Sequence, residues 1–148
     1  MKTFKTILKE FVVPNKEDTL GISRKDMPQI DSKDMKHFLN HLKDQDINVD
    51  NKEISPHELT ATQHHFNKEK IKSMIDDLNN DKLKSSPILT SKDNYVIDGH
   101  HRWLAHKNIN KPIEVNKIDL PVDELVDLMH DYERSYTKKL HERAFHVS

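Results

Sequence analysis

The stretch PILTSKDNYVIDGHHRWLAH, residues 87–106, decides the fold of this chain. Two short runs rich in β-favouring residues, PILTS and YVID, stand on either side of a polar turn and predict a β-hairpin. Gly99 closes the second strand, and the run HHRWLAHKN then predicts a helix that begins at once. Glycine tolerates the positive φ of a tight turn and lets a ligand approach the backbone closely. The stretch therefore predicts a hairpin that leads directly into the start of a helix.

The start of this helix is the strongest functional signal in the sequence. The first backbone N–H groups of a helix have no partner within it, and together they attract anions such as phosphate. Arg102 adds a planar cation that matches phosphate oxygens, while His100 and His101 add imidazoles that can exchange a proton near pH 7. We expect Asp98 either to orient one of these rings or to help hold a divalent cation. We therefore expect phosphate binding at Gly99, His100, His101 and Arg102, with catalytic roles for His100, His101 and Asp98.

The remainder of the chain predicts alternating helices and strands. Apolar residues at helical spacing, with caps or a proline at the starts, predict four more helices, and two further segments predict strands. The pattern indicates one α/β (α+β) domain, a small mixed sheet flanked by helices, preceded by a helical extension. The predicted helices cover residues 1–10, 32–46, 65–80 and 121–132, and the two further strands cover residues 47–54 and 113–120. The predicted N-terminal extension spans residues 1–46, and the predicted domain with its C-terminal helix spans residues 47–148.

Composition excludes several classes of protein. The chain has 148 residues, of which 34% are hydrophobic and 33% charged, enough for one domain with a modest core. It has no cysteine, so disulfides, thiolate nucleophiles and cysteine-bound metals are excluded. Lys and Arg number 24 against 25 Asp and Glu, which argues against a strongly basic nucleic-acid binder. No run approaches the roughly 18 apolar residues of a membrane span, so we expect a cytoplasmic protein without a membrane partner.

The run GHHRWLA, residues 99–105, resembles the G-x-x-R-x-x-A helix-start motif of the ParB/sulfiredoxin superfamily. The preceding PI…YVIDG context and the segment ISPHELTATQ, residues 54–63, are similar to that family as well, and the resemblance covers residues 50–120. It implies a loop that holds nucleotide phosphates, with Mg²⁺ and a nucleoside di- or triphosphate as cofactors, and NTP hydrolysis or phosphoryl transfer as the reaction. It also implies Glu58 as a general base and Gln63 as a phosphate or sugar contact.

Departures from the family narrow the resemblance. Sulfiredoxins need a cysteine where His100 stands, which excludes sulfinic-acid repair. Partition proteins resemble G-E-R-R at the motif, and their arginine-bearing segment is replaced here by Thr62 and Gln63. The run DGHHR is closest to the free-serine-kinase-like and nuclease-like branches. A ParB-like nuclease acting on DNA therefore stays open, and so does a non-enzymatic phage internal-head or host-takeover protein. The sequence assigns no metal-ligand site, and the kind of nucleotide, the acceptor and the oligomeric state stay open.

The N-terminal run MKTFKTILKE, residues 1–10, is similar to capsid-targeting peptides of internal head proteins in T-even-like phages. Those peptides are cleaved after a Leu-x-Glu pattern, which Leu8, Lys9 and Glu10 match. The resemblance implies a phage-encoded protein that is packaged in the virion, with a capsid or prohead protease as partner. An amphipathic docking helix is the alternative for the same ten residues.

Overall fold

In the part of the chain that the structure describes, five strands form one mixed sheet, and helices cover both of its faces. The computed structural model describes residues 13–23, 26–80, 86–132 and 135. In these residues the strands are β1 (Val49–Ile54), β2 (Thr60–Ala61), β3 (Ile88–Thr90), β4 (Tyr95–Asp98) and β5 (Ile113–Ile118). The helices are α1 (Ser32–Asp44), α2 (Lys68–Asn79), α3 (His100–Asn108) and α4 (Val122–Asp131), with short 3-10 turns at Lys16–Asp18 and Pro56–Glu58.

The strand order is β1-β5-β3-β4-β2, which puts the predicted hairpin in the interior of the sheet. Strands β3 and β4 pair antiparallel, as do β1 and β5, whereas β3 pairs parallel with β5 and β2 parallel with β4. The predicted α/β class with a mixed sheet is confirmed. Because β4 runs straight into α3, the end of a central strand fixes the position of the predicted site.

The core occupies both faces of the sheet because side chains alternate along each strand. Ile88 and Val96 pack against α2 and α3 on one face, while Leu89 and Ile97 pack against α1 and α4 on the other. Both faces are closed by large side chains that are fully buried, among them Trp103, Leu104, Ile71, Phe38, Leu42, Leu125 and Met129.

The segment before α1 lies along the free edge of β2. The N–H groups of Leu20 and Ile22 donate to the carbonyls of Ala61 and Thr62, at 3.2 and 3.0 Å. Side chains of α1, together with Met27, share a core cluster with β3, β4 and α4. The boundary at residue 46 stays a prediction, and the two sides of it contribute to one core.

The structure differs from the sequence prediction mainly in short elements. Strand β2 and the turn Pro56–Glu58 were not predicted, because elements of two or three residues show no periodicity. Helix α2 begins at Lys68 rather than residue 65, because the Asn67 side chain caps it by accepting the Lys70 N–H at 3.0 Å. The predicted helix and targeting peptide at 1–10, and the tail beyond residue 135, lie outside the described residues. None of the helices in the described ranges has the length and hydrophobicity that crossing a membrane requires.

Candidate anion-binding site

The turn between β4 and α3 has the tight geometry that the sequence predicts. Gly99 adopts a left-handed conformation, with φ of 95° and ψ of 27°, and as the N-cap residue of α3 it has no side chain to cap the helix start. The N–H of Trp103 donates to the Gly99 carbonyl at 2.9 Å, which closes the first turn of α3. A Cβ on Gly99 would lie 2.9 Å from Cβ of Ile88 and nearer still to its Cγ2. The glycine is therefore required by its backbone angles and by its packing on β3.

A cavity of about 290 Å³ opens at this turn and collects most of the predicted site. Of the residues that the sequence singles out, Glu58 does not line it and lies exposed in the turn Pro56–Glu58. Lys70 and Gln29 also line the cavity, and no sequence pattern selects them, since each lies far from the motif along the chain. The lining residues are Met27, Gln29, Gln63, Lys70, Met74, Ile97, Asp98, Gly99, His100, His101 and Arg102.

Among the described residues that line this cavity, two cations and one carboxyl group supply the charge. The guanidinium of Arg102 donates to the backbone carbonyl of Ser86, which anchors it beside the helix start. The carboxylate of Asp98 accepts the N–H of Gly99 and lies near Arg102 and Lys70. Burial nevertheless raises the pKa of Asp98 above 3.8, because it outweighs these favourable contacts. The cavity is therefore cationic, and more so when Asp98 is protonated.

His100 is a buried, neutral side chain. Its Nε2 accepts the backbone N–H of Thr62 at 3.2 Å, while the Thr62 hydroxyl, also 3.2 Å from Nε2, donates to the Val96 carbonyl at 2.8 Å. Burial, with a smaller contribution from His101, lowers the pKa of His100 from 6.5 to about 3. The expectation that His100 exchanges a proton near pH 7 is therefore wrong for this environment, because charging the ring would cost it the Thr62 hydrogen bond.

His101 occupies a matching position one residue later. Its Nε2 accepts the backbone N–H of Asn67 at 3.0 Å, and the ring is buried beside Phe66. The two histidines thus bind the two ends of one segment, residues 62–67, which we call the β2–α2 loop. Its Gln63 side chain donates to the carbonyl of His65 at 3.0 Å and lines the cavity.

A larger cavity, of about 610 Å³, lies against the second half of α3. None of the predicted site residues lines it. Apolar side chains, including Leu59 and Trp103, alternate there with polar ones, and the Lys107 ammonium lies 5.1 Å from the centre of the Trp103 ring. The smaller cavity is the better candidate site, since Lys70, Arg102 and the start of α3 converge on it and, among the described residues, on no other cavity.

No protein-family model matches the chain, and no curated protein matches it significantly. Among solved structures, a Pnob8-like ParB-N domain is similar to it, with 15% identity and a TM-score of 0.43 over 57% of this chain. The match spans 35% of that domain, so the chain covers about a third of its length. Fold and site together define a small mixed α/β domain with a cationic cavity at a strand-to-helix turn.

Proposed function

We propose that this domain binds the phosphate groups of a nucleoside di- or triphosphate in the cavity at the start of α3. The observation that carries the proposal is the convergence of Lys70, Arg102 and the first amides of α3 on one cavity. Each of these groups attracts phosphate oxygens; Arg102 and the amides belong to the first turn of α3, whereas Lys70 comes from the first turn of α2. The resemblance of GHHRWLA to the ParB/sulfiredoxin motif supports the same assignment.

Arg102 and Lys70 differ in how firmly the protein holds them, so they contribute to phosphate binding in different ways. Arg102 is held by the Ser86 carbonyl, so its fork is oriented before a ligand arrives and loses little freedom on binding. Lys70 is exposed on the first turn of α2 and supplies a more mobile point charge. The cavity, at about 290 Å³, suits a phosphate chain, while the nucleoside would extend toward solvent.

Phosphoryl transfer or NTP hydrolysis is the chemistry that we propose for a bound nucleotide. Such reactions depend mostly on positioning and on fixed positive charge around the phosphates. Mg²⁺ would accompany the nucleotide as the counterion of its phosphates. In this chain Arg102 and the α3 amides hold the phosphate oxygens, and Asp98 is the acidic group placed beside them.

Calorimetry with ATP, ADP, CTP and GTP in Mg²⁺ tests the proposal. Wild type should bind at least one of them, and Arg102→Ala should weaken that binding about tenfold or more, as expected for the loss of a bidentate charged contact. Lys36→Ala, which removes an exposed cation on α1, is the matched control and should bind like wild type. Equal affinity in Arg102→Ala and wild type, or no binding of any nucleotide, would refute the proposal.

A further inference from the structure

The paired histidines at the start of α3 have a role that their position in the motif does not suggest. Both rings are buried, and each uses Nε2 to accept a backbone N–H. A ring nitrogen that accepts a hydrogen bond carries no proton, so it is not available as an acid on that side. Both partners, Thr62 and Asn67, belong to the β2–α2 loop.

We infer that His100 and His101 are positioning residues. They hold the two ends of the β2–α2 loop, and through it they orient Gln63 and the first turn of α2, which line the cavity. This inference rests on the proposed function, since it names what orients two of the groups that would meet the phosphates. His101 acts through the start of α2, and His100 acts through the residue after β2. Neither ring needs to touch the ligand to have this effect.

His101 is linked by two successive hydrogen bonds to the backbone of Lys70, one of the cations that line the cavity. Its Nε2 holds the N–H of Asn67, and the Asn67 side chain in turn accepts the N–H of Lys70 at 3.0 Å. Asn67 is the N-cap of α2, so holding it fixes where the helix begins and where its first turn points. Lys70 lies on that first turn and lines the cavity. His101 therefore positions the turn of α2 from which the Lys70 side chain extends into the cavity.

His100 is hydrogen-bonded to Thr62, the residue before Gln63, whose carboxamide side chain lines the cavity. Its Nε2 holds the N–H of Thr62, and Gln63 follows directly and lines the cavity. The Thr62 hydroxyl is at the same time bonded to the Val96 carbonyl on β4, which ties the loop to the sheet. The backbone carbonyl of Thr62 accepts the N–H of Ile22 at 3.0 Å, so this end of the loop is held from both sides.

A double-mutant cycle with sulfate as the probe, without Mg²⁺, tests the inference. His101→Leu and Lys70→Ala should each weaken sulfate binding about tenfold, and the double variant should bind no more weakly than either single one. Combined with Gln63→Ala, His101→Leu should show independent, additive effects. His101→Gln should bind like wild type, because the Gln carbonyl oxygen can reach the place of Nε2. Additive effects of His101→Leu and Lys70→Ala, or no rescue by His101→Gln, would overturn the inference.

Hydrogen exchange gives a readout that does not depend on ligand binding. In His101→Leu the Asn67 amide should exchange at least tenfold faster than in wild type, while the Trp103 amide, bonded to Gly99, should stay protected if the fold is intact. His130→Leu, on the exposed face of α4, should change neither amide. If wild type binds neither sulfate nor nucleotide, the proposed function fails, and an unchanged Asn67 amide in His101→Leu would separately overturn the positioning role.

Discussion

Gly99 and Ile88 are in direct contact across the β3–β4 hairpin, and the contact leaves no space for a side chain at residue 99. A Cβ on Gly99 would lie 2.9 Å from Cβ of Ile88, and the backbone there has a φ of 95°. The close approach seats the start of α3 on the sheet, since Ile88 is buried in the core that α2 and α3 cover. The turn at the start of α3 is thus held in place by packing against the core.

Gly99→Ala should lower the free energy of unfolding by about 3 kcal/mol, from the left-handed backbone and the clash together. The measurement is urea unfolding followed by fluorescence of the one tryptophan, Trp103. The same substitution should cost less in an Ile88→Ala background, because the γ-methyl is gone. In an Ile88→Val background it should cost as much as in wild type, because valine keeps that methyl. Equal costs in all three backgrounds would show that Ile88 is not the obstacle.

The carboxyl group of Asp98 should make anion binding depend on pH. Its pKa is raised above 3.8 by burial, and while ionised it opposes an anion beside Arg102. Sulfate keeps its charge across the range, so wild type should bind it more tightly as the pH falls through the raised pKa of Asp98. Asp98→Asn should bind sulfate about tenfold more tightly than wild type at pH 8 and with a flatter pH profile. The histidines are common to both proteins, so parallel profiles would rule out Asp98 as the cause.

Asp98 also makes the free energy of unfolding depend on pH, in a direction that follows from its raised pKa. A carboxyl group whose pKa is higher in the folded state binds its proton more strongly there than in the unfolded chain. Its contribution to stability is therefore largest at low pH and is lost as the pH rises through the raised pKa. Asp98→Asn should accordingly unfold at a higher urea concentration than wild type at pH 8, and less stable variant protein at that pH would contradict this reasoning.

His100 should destabilise the protein in mild acid. Its pKa is lowered to about 3 in the folded state, against 6.5 in the unfolded chain, so only the unfolded chain takes up the proton in that interval. The free energy of unfolding should therefore be about 2 kcal/mol lower at pH 5 than at a pH well above 6.5. The His106 pKa is lowered by burial as well and acts in the same direction. His100→Gln should show a smaller loss between pH 7.5 and 5, whereas the exposed-site control His130→Gln should match wild type.

Asp93, in the turn of the hairpin, caps α4 from a distance. Its carboxylate accepts the Val122 N–H at 3.0 Å and the hydroxyl of Ser91, while α4 itself has no capping side chain after Pro121. Asp93→Ala should cost about 1 kcal/mol in urea unfolding, as the loss of an N-cap does, and Asp93→Asn should cost less because it keeps an acceptor. Asp127→Ala, an exposed substitution within α4, is the control. A loss in Asp127→Ala equal to that in Asp93→Ala would attribute the effect to charge rather than capping.

The hairpin, its turn and the start of α3 could be predicted from the sequence because they depend on neighbouring residues. Short runs of β-favouring residues on either side of a polar turn define β3 and β4, and a glycine before a helical run marks the turn. Lys70 could not be predicted, since it is 32 positions before Arg102 and reaches the cavity only through the packing of α2 on α3. Strand β2 was missed for a related reason: two residues become a strand only by pairing with β4.

The burial and the hydrogen bonds of His100 and His101 could not be predicted from the sequence either. The sequence shows that two imidazoles stand at a helix start, and unperturbed imidazoles would titrate near pH 7. Only the tertiary structure shows that they are buried and that Thr62 and Asn67 donate to them, which keeps the His100 ring neutral down to about pH 3. The longer helices and strands and the types of group at the site follow from local patterns in the sequence. Which groups meet, which are charged and which are held in place depends on burial and long-range contacts, so only the folded chain shows these.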